Sequence, residues 1–133
     1  MAAGKYNFTI EQGATLNFEI AYKDSNSDPI DLTDYVGRMQ IKDKIGGSTT
    51  YITLSSSLEP CGTGLNFNGS NGLNPPTSGT IGIFISAISS SALNFNKAVY
   101  DLEIASGSGN CAVVTRLLQG TVTLDKEVTT GTY

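Results

Sequence analysis

A chain of 133 residues can bury one hydrophobic core without a metal or a disulfide, and has no room for a second. Charged residues make up only 15% of it and the formal net charge is −4, which counts against nucleic acid and anionic membrane surfaces as partners, the more so because no basic cluster interrupts the sequence. There is no histidine, so the usual general base, the Ser–His and Cys–His nucleophile pairs and the commonest metal ligand are all missing.

The N-terminal Met-Ala-Ala-Gly-Lys-Tyr-Asn lacks the apolar run of a signal peptide, and no stretch approaches the length of a membrane span, so a soluble product made without cleavage is expected. Residues 1–5 read as a loose arm. Tyr6, Phe8 and Ile10 alternate with Asn7, Thr9 and Glu11 as a first strand, which Gln12-Gly13 breaks. Leu16, Phe18, Ile20 and Tyr22 form the inward set of a second strand. Asp24 to Asp28 is dense in residues that bond to their own backbone, and Pro29 closes the turn. Ile30 and Leu32 pin a corner before a third strand, Tyr35 to Lys42, in which Gly37, Met39 and Ile41 face one way and Arg38, Gln40 and Lys42 the other.

Gly46-Gly47 marks a reversal into a fourth strand carried by Thr50, Ile52 and Leu54. Residues 55–78 hold three prolines, several glycines and one short apolar pair, Leu65 and Phe67. They predict one short strand within a long, partly ordered loop, serving as a contact surface or a mobile insert. Ile81, Ile83 and Ile85 define the next strand. Ser86 is an N-cap for a helical turn through Ala87, Ile88, Ala92 and Leu93. Ala98, Tyr100, Leu102 and Ile104 face inward on a further strand, with Asp101 and Glu103 opposite; residues 106–110 make a hairpin loop. A last strand starts near Ala112, with Leu118, Val122 and Leu124 inward. Arg116 falls in phase with them, which predicts either a bulge or a partner-facing arginine. The tail, 125–133, has no periodicity. The total is an all-β, antiparallel Ig-like sandwich of about seven to eight strands with one short helical turn, occupying 1–133 as a single domain.

Candidate chemistry is sparse. The carboxylate pairs Asp31/Asp34 and Asp101/Glu103 could act without histidine, but the first sits at a corner where carboxylates accept backbone N–H bonds, and the second alternates on a solvated strand face. Asp24-Ser-Asn26-Ser-Asp28 resembles the start of a calcium loop. The places that need Gly and Glu hold Pro29 and Tyr35, so a hairpin turn is the better reading. The acceptor patterns Asn7-Phe-Thr9 and Asn68-Gly-Ser70 read as coincidence in a chain rich in Asn, Ser and Thr. Cys61 and Cys111, in separate Gly-rich stretches, read as two reduced thiols rather than a disulfide. No catalytic, cofactor-binding or metal-binding residue is assigned, and an enzyme is not expected.

Four pieces in fixed order carry a family resemblance: Tyr6-Asn-Phe-Thr-Ile-Glu-Gln-Gly-Ala-Thr15; Lys23-Asp-Ser with Pro29-Ile-Asp-Leu-Thr33; Arg38-Met-Gln-Ile41; and Tyr100-Asp-Leu-Glu-Ile104 with Thr115-Arg-Leu-Leu-Gln-Gly-Thr-Val-Thr123. Together they resemble the small Ig-like proteins and domains of tailed-bacteriophage virions, and are similar to the N-terminal domain of upper baseplate proteins; residues 55–78 depart from the pattern. The resemblance implies a non-enzymatic virion component, synthesised in the host cytoplasm, that docks in several symmetric copies on tail, baseplate or neck proteins. It transfers no site residue. In upper baseplate proteins a receptor-binding-protein platform follows this domain; the chain ending at Tyr133 therefore suits a stand-alone adaptor. A capsid decoration protein is the second structural expectation. A carbohydrate-binding adhesion module is a third, weakened by the absence of tryptophan. The expected contact surfaces are 1–5, 55–78 and 125–133.

Overall fold

The computed structural model describes residues 4–107 and 111–130. In chain order the strands are β1 (Gly4–Lys5), β2 (Phe8–Glu11), β3 (Leu16–Ala21), β4 (Tyr35–Lys42), β5 (Thr50–Ser55), β6 (Gly64–Asn66) and β7 (Thr80–Ile85). A single helical turn, α1 (Ala87–Ser91), precedes β8 (Lys97–Ser106) and β9 (Val113–Asp125). They form two sheets, one ordered β1-β9-β8-β4-β5 with β2 also on β9, the other β3-β7-β6. The protein is an all-β sandwich. The period-two alternation decides which side chains meet between the layers: Met39 and Ile41 of β4, Leu102 and Ile104 of β8, and Ile81, Ile83 and Ile85 of β7 are all essentially inaccessible to solvent.

Strand number exceeds the expectation because part of the expected arm, Gly4–Lys5, is itself a strand. β1 and β2 both lie along β9, parallel to it, where an antiparallel sheet was expected. Between them Tyr6 and Asn7 cross directly over Gly120: a Cβ on Gly120 would collide with the Tyr6 carbonyl. Only glycine leaves room for that crossing. The crossing is tied by the Tyr6 N–H to the Gln119 carbonyl at 2.9 Å, by the Thr121 N–H to Asn7 Oδ1 at 2.9 Å, and by the Tyr100 hydroxyl donating to the Tyr6 carbonyl. Burial pushes the Tyr100 phenol well above its ordinary value, with the neighbouring Tyr6 phenol adding to the shift. Of the arm expected over 1–5, Gly4 and Lys5 are thus strand-paired, and residues 1–3 lie outside the described residues. The rings of Phe8, Phe18 and Tyr100 close the sandwich at this edge, with Phe8 5.2 Å from Phe18 and 5.0 Å from Tyr100.

The expected bulge at Arg116 is present. Leu118 opposes Leu102 while Arg116 opposes Glu103, so Leu117 is the extra residue and Arg116 is turned to the outer face. Ser86 caps α1 by accepting from the Ser89 N–H. The buried Ser90 hydroxyl donates to the Ala14 carbonyl at 2.8 Å and accepts from the Gly13 N–H at 3.0 Å, which locks the β2–β3 turn onto the helical segment. The tail is anchored at its start: Asp125 ends β9, and the Glu127 N–H donates to Gln12 Oε1 at 3.1 Å. Residues 131–133, and 108–110 of the expected hairpin loop, lie outside the described residues.

Residues 55–78 contain the single short strand expected, β6, flanked by 3-10 turns at Pro60–Gly62 and Pro76–Ser78. The surrounding loop folds back over the outer face of β3-β7-β6. The backbone of Gly69 and Ser70 passes over Gly82, so that a Cβ there would lie 2.8 Å from both. Glu19 Oε2 accepts from the Ser70 N–H and hydroxyl, each at 3.0 Å, and Gly62 lies against the outward Phe84 ring. The segment covers a sheet rather than projecting from one.

Candidate interaction face

Among the described residues, the outer face of the six-stranded sheet has no such cover. β4, β8 and β9 lie side by side, and their register sorts the outward residues into four rows. Val36, Ala105 and Val114 form an apolar row at one end. Arg38, Glu103 and Arg116 follow, then Gln40, Asp101 and Gln119, and last Lys42, Val99 and Thr121. Two ion pairs knit the middle: Arg38 Nε to Glu103 Oε1 at 2.9 Å, and Arg116 Nε to Asp101 Oδ2 at 3.4 Å. Both arginine side chains are more than half exposed, at 68% and 53%, so these pairs orient groups more than they stabilise the fold.

Two walls turn the lower rows into a basin of about 660 Å³. Lys5 and Asn7 stand on the β1–β2 side, and Lys44, Ile45 and Gly46 of the β4–β5 turn stand on the other. Gly46 takes a left-handed conformation at the tip of that turn, and Ile45 beside it is 91% exposed. Lys5, Arg38, Lys42, Lys44 and Arg116 border the basin, five of the chain's eight basic residues, against two of its twelve acidic ones. The basin therefore carries a formal +3 and the rest of the chain −7, which together give the net −4. The sequence shows no basic cluster, yet the fold assembles one from three strands, an edge and a turn. With Asp101 and Glu103 engaged by the two arginines, Lys5, Lys42 and Lys44 have no ion-pair partner among the described residues.

The other sequence candidates fall elsewhere. Asp24 to Asp28 is a hairpin turn: Asp24 Oδ1 accepts from the N–H groups of Asn26 at 2.8 Å and Asp28 at 3.0 Å, and Lys23 bridges to Pro29. Asp31 Oδ1 accepts from the Thr33 hydroxyl at 2.6 Å and from its N–H at 2.9 Å; these bonds, the hydroxyl's first, hold the carboxyl below its usual range. Asp34 sits at φ 67° as the corner enters β4. The Asp31 carboxylate is accounted for by the corner itself. Asp101 and Glu103 line the basin, each paired with an arginine. Cys61 and Cys111 are free and exposed. Among the described residues no group of three His, Cys, Asp or Glu could hold a metal ion, and no helix is long and apolar enough to cross a membrane. Of the expected contact surfaces, 55–78 covers the small sheet and 125–130 runs on from the end of β9. The outer face of the large sheet was not among them. Its signal was present in the alternating Arg38, Gln40, Lys42 and the adjoining Lys44, three of the chain's eight cations within seven residues.

No protein-family model matches the chain, and no curated protein matches it either.

Proposed function

We propose that this chain is a non-enzymatic structural component of a bacteriophage virion, docking in symmetric copies on tail, baseplate or neck proteins as an adaptor. One observation carries the reading beyond the family resemblance: the chain covers the outer face of its small sheet with its own loop, while among the described residues that of its large sheet is bare. That bare face has the make-up of a docking surface, with an apolar row of Val36, Ala105 and Val114 beside oriented charges. Val113, 66% exposed, extends the apolar end. A rigid sheet presenting such a face suits assembly rather than turnover of a small molecule.

The test is quantitative mass spectrometry of purified particles. The chain is expected in multiple symmetric copies, in tens at most if it sits in tail, baseplate or neck, and hundreds would place it on the capsid as a decoration protein. Substituting Val36→Lys together with Val114→Lys is expected to leave the fold intact and to abolish incorporation. A chain absent from mature particles would refute the proposal.

A further inference from the structure

The bare face is one half of a charge-complementary pair carried by the same chain. The other half is the corner between β3 and β4. Asp24, Asp28, Asp31 and Asp34 are all exposed there, four of the twelve acidic residues within eleven positions, with only Lys23 beside them. Asp24 and Asp31 are bound into their own turns, which fixes those two carboxylates in place. The basin is concave, and the four carboxylates of the corner are exposed. Basin and corner cannot meet within one molecule. The corner enters β4 at Tyr35 and the basin surrounds Lys42 at the strand's other end, roughly 23 Å away at the rise of a strand.

We propose that the basin receives the acidic corner of a second copy of this chain, with Lys5, Lys42 and Lys44 facing Asp24, Asp28, Asp31 and Asp34. The contact is heterologous: each copy offers a basin to one neighbour and a corner to the other. Repetition closes into a ring where the rotation permits and runs into a filament otherwise. This inference rests on the structural role proposed above and names the partner that would place copies around a symmetry axis. The amines left unpaired by the arginine–carboxylate pairs supply the attraction, and the self-complementarity of a −4 chain follows from its separation into a +3 basin and an acidic remainder.

Sedimentation velocity with the full chain tests it. The parent is expected to associate with rising concentration up to about 1 mM at about 50 mM salt, and to lose at least about tenfold in affinity at about 500 mM, where screening is short-ranged. A basin variant, Lys42→Glu with Lys44→Glu, and a corner variant, Asp28→Lys with Asp34→Asn, are each expected to be monomeric alone. Mixed, they still hold one good basin and one good corner, and are expected to form a 1:1 dimer that grows no further. That dimer also shows that both variants are folded. A parent monomeric at about 1 mM and low salt overturns the inference, as does association that the corner variant leaves untouched. A basin that retains a thymidine oligonucleotide while the chain stays monomeric overturns it too, by giving the basin another occupant. Particle incorporation reads the proposed function separately: a monomeric chain found in particles removes this inference alone, and a self-associating chain absent from particles removes the function alone.

Discussion

The two outer faces of this sandwich have opposite fates. On β3-β7-β6 the loop at 69–74 lies so close that Gly82 has no space for a side chain, and Glu19 grips Ser70 through two hydrogen bonds. On β9-β8-β4 nothing among the described residues crosses the rows from Val36 to Thr121. A face that a chain covers itself contributes to stability. A face left bare, with an apolar row and a surplus of one charge, is available to a partner. The longest irregular segment here packs back onto a sheet.

The contrast breaks most directly at Gly82. Gly82→Val drives a branched side chain into the Gly69–Ser70 backbone and is expected to cost about 3 kcal/mol, with the loop displaced; chemical denaturation together with hydrogen exchange at 69–74 checks it. On the inner side of β9, Gly120→Ala is expected to cost about 2 kcal/mol by pushing Tyr6 away, with exchange protection lost at Gly4 and Lys5. Tyr100→Phe removes the hydroxyl that donates to the Tyr6 carbonyl and is expected to cost about 1 kcal/mol near neutral pH. Its pH dependence has a defined sign. The folded state holds the phenol's proton more tightly than the unfolded chain does, so the parent keeps this stability below the ordinary phenol range and loses it as pH rises through about 10 and beyond. The Phe variant lacks that alkaline loss, and melts between pH 9 and 11 are expected to converge with the parent's. Smallest of all, Gln40→Ala and Thr121→Ala in the middle of the bare face are expected to shift stability by less than about 0.5 kcal/mol, measured by the same denaturation.

What sequence reveals about this molecule follows the same division. Inner faces are legible because alternation is local: Met39 and Ile41, or Ile81, Ile83 and Ile85, declare their common direction within a few residues. The Arg116 bulge is legible for the same reason, since an arginine in phase with the inward Leu118, Val122 and Leu124 is a local anomaly. The outer faces are legible only in part, as in the alternating Arg38, Gln40 and Lys42, because the rest depends on distant partners. Gly82 breaks a run of isoleucines for the sake of residues twelve and thirteen positions earlier. On the inner side Gly120, opposite Tyr100, depends just as much on a distant residue, making room for Tyr6 at the other end of the chain. The basin draws on Lys5, on the segment from Arg38 to Lys44, and on Arg116, which meet only through the β1-β9-β8-β4 order of the sheet. Net charge alone concealed it: an overall −4 is the sum of a basic basin and a much more acidic remainder.

The central claim is that the bare sheet face, rather than the covered one, meets other proteins. Site-specific photo-crosslinking in assembling particles tests it most directly, with benzoylphenylalanine placed at Gln40 or Val114 on the bare face, or at the exposed Leu73 of the covering loop. Adducts from Gln40 and Val114 and none from Leu73 are predicted; adducts from Leu73 alone would contradict the account.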